Sequence, residues 1–528
     1  MWLLMLGACW LPRMINSGYA QIGWTGRGLL QQSGGVVTAN GAGLNTYGFG
    51  IGGGSGYEGA NKGMGVADVS GGTLSFTGTA GRFMGVGSLN QAGARGILTV
   101  RDSGSVIVTS PDFLITAATT ASATGVVNLI GGTLEVNSSN SGATFLQGLD
   151  NAFVYSKGLT VDTNGQSVTI GQALAAPVGY GILTSGSTLA VASGGAGYVA
   201  PPLVTFAAPA GGGVAATGLA TINANGTVTG ITITSAGSGY AANETVAVAF
   251  NDGDNTSDAA VTAASGFSAT AAQLNASGGL RKTGAGRLTL STANTYTGAT
   301  TIAGGTLALG AGGSFANSAS IIVGNAGSSG AVLDLAAKTG GFNVGAAQTL
   351  GGGGAVQRAA AGTLNVLGTL SPGNSPGLLT FDAGTTLLSG TTLMEISGLA
   401  RATGPSDGPG FYDAINVVNS GVLTFGGQLQ VTFDQLFADN SAFNLFSTLS
   451  GGSLAGNFTG VSVTGSFYGG LTWNQSGTKW TSTATTGGQS LEFNAATGAL
   501  VIVPEPGALA LAGIGVAAAA WAARRRRQ

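Results

Sequence analysis

The chain has 528 residues, a formal net charge of −2, one cysteine and no histidine. Only 7% of residues are charged against 44% hydrophobic, and glycine fills 98 positions. The missing histidine excludes Ser-His-Asp and Cys-His catalytic groups and, with a lone Cys9, any His/Cys zinc site.

The length suits roughly two to four domains. The apolar content is too high for a generically disordered chain. Ala, Val, Ile and Leu are set among Thr, Ser, Gly and Asn, a mixture that favours short strands and tight turns. Four of the 18 basic residues are the terminal arginines, so the body is mildly acidic and has no basic stripe. Phosphate neutralisation needs such a stripe, and no nucleic-acid partner is expected. No cofactor is expected either.

Residues 2–11 form an apolar run of signal-peptide length. Gly18-Tyr19-Ala20 then places small residues before a cleavage between Ala20 and Gln21, so 1–20 reads as a signal peptide. No Lys or Arg precedes the run and Arg13 follows it. An N-terminal strand, or a lipoprotein box at Leu6-Gly7-Ala8-Cys9, is the alternative.

Residues 21–172 read as an N-terminal β-solenoid. Gly71-Gly72-Thr73-Leu74-Ser75-Phe76 returns as Gly131-Gly132-Thr133-Leu134-Glu135-Val136 and as Gly304-Gly305-Thr306-Leu307-Ala308-Leu309. A reduced copy is Gly362-Thr363-Leu364-Asn365-Val366. Each is a turn and a short strand whose alternate residues point inward. Leu74, Phe76, Leu134, Val136, Leu307 and Leu309 are therefore candidate core residues. Asp102-Ser103-Gly104 is a turn between strands 97–100 and 105–108. Such strands suit a stack of coils.

Residues 173–265 read as a β-rich insert with two copies of one unit. Gly197-Tyr198 leads into Leu203-Val204-Thr205-Phe206, and Gly239-Tyr240 leads into Thr245-Val246-Ala247-Val248-Ala249-Phe250. Asp252, Asp254 and Asp258 are the densest oxygen cluster, but lack the Gly and Glu of an EF-hand loop. A polar loop and a weak Ca²⁺ site both remain open there, and no other metal site is expected. Residues 266–400 read as a second run of solenoid and 401–500 as a C-terminal β cap. Late aromatics such as Phe443, Phe446, Phe458, Tyr468, Trp473 and Trp480 would close the stack or form a sugar-stacking surface.

Several motifs match by chance. Residues 48–53 fit a dinucleotide fingerprint without the strand and helix it requires. Ser476-Gly477-Thr478-Lys479 and Lys282-Thr283-Gly284 fit S-x-x-K and K-T-G, in reversed order and without S-D-N.

The tail combines Pro504-Glu505-Pro506, an uncharged apolar run over 507–523 and Arg524, Arg525, Arg526 and Arg527. About 17 residues is the short end of a membrane-spanning helix, and the arginines would stay cytoplasmic. A plain C-terminal anchor is one reading. The order of the parts resembles the PEP-CTERM sorting signal of Gram-negative bacteria over 503–527. That resemblance implies recognition of Pro504, Glu505 and Pro506 by an exosortase, a membrane-embedded protease.

Residues 284–310 resemble the autotransporter-associated β-strand repeat through Leu288-Thr289-Leu290, Asn294-Thr295-Tyr296-Thr297-Gly298, Thr300-Thr301-Ile302 and Gly305-Thr306-Leu307. Residues 368–377 with Tyr412-Asp413-Ala414-Ile415-Asn416-Val417 resemble the later part of autotransporter passenger domains. The sorting tail occupies the place of the expected barrel, so self-export is not expected.

The fold expected is all-β: a right-handed parallel β-helix or β-solenoid-like repeat with a β-rich insert, a C-terminal β cap and one C-terminal transmembrane helix, the tail beginning near residue 501. The function expected is that of an exported, non-enzymatic surface or extracellular-matrix protein that meets an exosortase, transiently the inner membrane, and extracellular polysaccharide. A surface adhesin or carbohydrate-binding protein is the first alternative. A polysaccharide-degrading enzyme is the second, and scattered carboxylates weigh against it.

Overall fold

Alternation of apolar and small polar residues buries one face of each short strand, and Gly, Asn and Ser supply the turns between them. The structure is a computed structural model. It describes residues 3–6, 13–15, 20–22, 27–40, 47–52, 64–77, 83–87, 94–108, 124–137, 141–142, 144–191, 194–251, 268–328, 330–374, 376–485 and 487–504. Their regular structure is all β, with long parallel sheets. The chain divides into two compact units, Met1–Thr301 with Gly305–Ala319, and Ile302–Gly304 with Ser320–Gln528.

In the first unit, successive coils stack in parallel register. Val66 lies against Ile97, and Ile97 against Val126. A second column runs Leu74, Val106, Leu134, Val161 and then Lys282. The repeated hexads supply Leu74 and Leu134 of this column. Leu74, Phe76, Leu134, Val136, Leu307 and Leu309 are all buried, as their alternation predicts.

Strands Leu3–Leu6 and Arg13–Ile15 pair in parallel with Arg27–Asn40, and Ala20–Ile22 pairs with Tyr47–Ile51. Cleavage between Ala20 and Gln21 would cut within a paired strand.

The column does not stop at the insert. Leu159 pairs with Leu280, and Val168 with Leu288, so the coil resumes in register on the far side of the excursion. The excursion itself is antiparallel, with described strand order Thr188–Ala190, Val228–Ser235, Thr217–Ile222, Leu203–Phe206, Glu244–Asn251 and Ser268–Ala271. The last of these pairs with Glu244–Asn251, which carries the insert past residue 265. Its two sequence copies meet each other. Leu189 pairs with Ile231 and Phe206 with Val248, each residue opposite its own equivalent forty-two positions on.

The insert also covers the solenoid. Leu203 and Leu219 pack with Leu29 and Val66, and Val214 and Ala236 pack with Val126, Ile130, Phe153 and Tyr155. Consecutive residues of Arg95–Arg101 and Thr124–Ile130 are buried as a result. A strand with one solvated face would alternate.

In the second unit three parallel sheets run along the coils. Their inward columns are Ile321, Leu350, Leu370, Thr392, Leu429, Val461; Leu333, Val356, Phe381, Val417; and Leu364, Thr386, Leu423, Leu454. Coils continue past residue 401 to the strand Gly460–Thr464. An antiparallel sheet follows, ordered Ala442–Asn444, Ala499–Val503, Ser490–Asn494, Lys479–Ser482 and Trp473–Ser476. Phe493 lies 5.7 Å from Phe458, and Phe458 lies 4.7 Å from Phe425 of the coils. The late aromatics Phe443, Phe446, Phe458, Tyr468 and Trp480 are buried, filling a core between coil and cap.

Among the described residues no helix is long and apolar enough to cross a membrane. The helix expected over 507–523 lies outside them.

Candidate functional site

Of the positions expected to carry the sorting function, Pro504 is described, and it follows the last strand of the cap. Strand Ala499–Val503 is interior to its sheet, pairing with Ser490–Asn494 on one side and Ala442–Asn444 on the other. Leu500 and Ile502 are fully buried. Pro504 follows at once, and proline cannot continue the ladder because it has no N–H. The last described strand therefore ends directly before the P-E-P triplet. Glu505, Pro506 and Arg524 to Arg527 lie outside the described residues.

Asp252, Asp254 and Asp258 also lie outside them. Among the described residues no group of three or more His, Cys, Asp or Glu side chains could hold a metal ion.

The repeat motif over 284–310 turns out to be architectural. Arg287–Leu290 and Thr306–Leu309 are adjacent parallel strands, with Leu288 opposite Leu307. The Asn294 amide spans the turn between them. Its Oδ1 accepts the Leu174 N–H at 2.9 Å, and its Nδ2 donates to the carbonyls of Thr292 and Ser314 at 3.0 and 2.9 Å. Tyr296 is buried with its hydroxyl 2.7 Å from Thr300 Oγ1, which donates to Ser318. Burial raises the Tyr296 phenol far above its ordinary range. At Gly298 a Cβ would stand 2.3 Å from the Gly278 carbonyl carbon, so the coils approach closely only with glycine here.

The later motif works the same way. Buried Asp413 accepts the N–H groups of Gly377 and Glu395, each at 2.8 Å. Burial pushes its carboxyl up to about 7, against the pull of these two donors. The neighbouring loop is held by Asn374 N–H to Pro405 O and Asp407 N–H to Pro376 O, both at 2.9 Å.

Three buried cations were not legible as such. Lys282 takes an inward column position and bends its Nζ to Thr163 Oγ1 and the carbonyls of Thr283 and Gly284 at 2.9, 2.9 and 2.6 Å. Burial pushes it down to about 8, against the attraction of Asp162. Arg101 meets buried Asp68 in a two-point pair at 2.8 and 2.9 Å. Arg358 lies 5.7 Å over the Phe381 ring, donates to Ala383 O, and is pushed down to about 10 by burial. The S-x-x-K match is a hairpin turn: Ser476 pairs with Lys479, whose Nζ lies 2.8 Å from Glu492. Of the residues that fit the dinucleotide fingerprint, 48–51 belong to the strand Tyr47–Ile51, which pairs with Ala20–Ile22 and Phe83–Val86.

Two family models match the chain. Residues 280–309 match the passenger-associated-transport-repeat, and residues 503–527 match the PEP-CTERM protein-sorting motif. No curated protein and no solved structure matches. The sorting motif implies an exported protein, recognised by exosortase-type machinery and processed at a membrane on the way to the surface.

Proposed function

We propose that the chain is a non-enzymatic structural protein of the cell surface or extracellular matrix, delivered by exosortase processing at Pro504-Glu505-Pro506. The apolar run 507–523 holds the precursor in the inner membrane, with Arg524 to Arg527 on the cytoplasmic side. The coils are right-handed, following the rule for parallel crossovers. The observation that carries this reading is the position of the strand Ala499–Val503. It completes the cap, and the triplet begins directly after it, so a cut there leaves every described strand upstream of it in place. Burial of Phe443, Phe446, Phe458, Tyr468 and Trp480 supports a scaffold over a sugar-stacking surface, while Trp473 stays partly exposed on the edge strand of the cap. The buried charges of Asp68, Arg101 and Asp413 are engaged in holding coils and turns.

Mass spectrometry of the mature C-terminus tests the reading. A chain ending within 503–506 is expected, and Glu505→Gln should leave the protein in the inner membrane. A mature chain that keeps its arginines would overturn it.

A further inference from the structure

The strand Ala499–Val503 ends beside the loop that follows Gln428–Phe433. The Asn440 N–H donates to Ile502 O at 2.8 Å, and the Ile502 N–H donates to Ser441 O at 2.9 Å. That loop carries Leu436, which is 64% exposed, next to buried Phe437. It is bound to a second loop: Gln435 Nε2 donates to Ser397 O at 2.8 Å, and the Ser397 hydroxyl donates to Asp434. The second loop carries Leu399, 63% exposed. Two of the most exposed large apolar side chains of this unit thus sit on adjoining loops beside the end of the last described strand.

Only Pro504, Glu505 and Pro506 separate Val503 from the apolar run. Three extended residues reach at most about 10 Å. The polar headgroup layer on one side of a bilayer is about 6–7 Å deep. With the run inserted, the Val503 edge of the cap stands at the lipid surface. We infer that this edge, with Leu399 and Leu436 leading, is a lipid-contacting surface that seats the precursor against the outer leaflet of the inner membrane. The inference rests on the reading of 507–523 as a span. The same loop exposes Asp434 and Asp439, so contact is apolar and is not strengthened by anionic lipid. A seated cap holds the P-E-P triplet at the depth of a membrane-embedded protease.

The chain's lone cysteine makes the test direct. In full chain bearing Cys9→Ser, Leu436→Cys is labelled with a fluorophore and reconstituted into zwitterionic vesicles containing nitroxide-labelled lipid. Leu367→Cys is the control. It follows the strand Thr363–Val366, three strand spacings or about 14 Å along its sheet from Ser453–Gly456. Quenching at 436 several-fold above that at 367 is expected, with no increase when anionic lipid is added. Alkaline carbonate extraction reports the span separately. A carbonate-resistant chain with equal quenching at both positions overturns the lipid surface alone. A spectral shift at 436 without nitroxide quenching points to a protein contact and also overturns it. A chain that carbonate extracts overturns the span and the surface together.

Discussion

The Asp413 carboxylate accepts the backbone N–H of Gly377 at 2.8 Å and joins two segments 36 residues apart. Its other oxygen takes the Glu395 N–H, so one side chain closes three pieces of a coil.

Removing that carboxylate leaves two buried N–H donors without partners. Asp413→Ala is expected to cost about 2–6 kcal/mol, at about 1–3 for each orphaned group. The same residue sets a pH dependence. Burial raises its carboxyl to about 7 from an ordinary 3.8, so the folded state holds the proton more tightly. The contribution is complete below about 3.8 and is lost as pH rises through about 7. Denaturant midpoints measured from pH 4 to 8 should fall across this window, and Asp413→Asn should flatten that part of the curve. An unchanged slope in the variant would show that the group does not titrate there.

Asn294 performs a comparable task in the first unit. With its amide replaced in Asn294→Ala, the Leu174 N–H loses its acceptor, while the Thr292 and Ser314 carbonyls keep the backbone N–H groups of Ser314 and Asn294. A loss of about 1–3 kcal/mol is expected. Hydrogen exchange at the Leu174 amide should quicken more than exchange at Leu288, which lies inside the ladder. Equal protection in variant and parent would remove Asn294 from this role.

The insert is a lateral wall of the first unit. Replacing residues 176–275 by a short Gly/Ser linker keeps the pairing partners of Leu159 and Leu280 but uncovers Leu29, Val66, Val126, Ile130 and Phe153. Burying an apolar side chain is worth about 1.5–3 kcal/mol, so partial exposure of five should cost on the order of 5 kcal/mol. Binding of a hydrophobic dye should rise several-fold. A shortened chain that binds no more dye than the parent would mean the outer face does not depend on the insert.

What the residues determine by themselves is local. Period-two alternation with Gly-Gly turns placed the hexad strands and their inward residues, because a strand's two faces are set by adjacent positions. The tail was legible for the same reason, as proline, apolar run and arginine cluster are each read over a few residues. The motif Asn294-Thr295-Tyr296-Thr297-Gly298 was visible as a pattern, while its work became visible only through the turn it spans. Tertiary structure decided the rest. Leu159 finds Leu280 across the whole insert, coils run on to Gly460–Thr464, and Val126 and Phe153 are buried from outside. These outcomes depend on which strand stacks on which. That choice is made by long-range pairing and by the burial of whole faces, and nothing in a single strand's neighbourhood encodes it. The inward placing of Lys282 is the plainest case: its sequence offers a lysine in a turn-rich segment, and the register with Val161 puts it in the core.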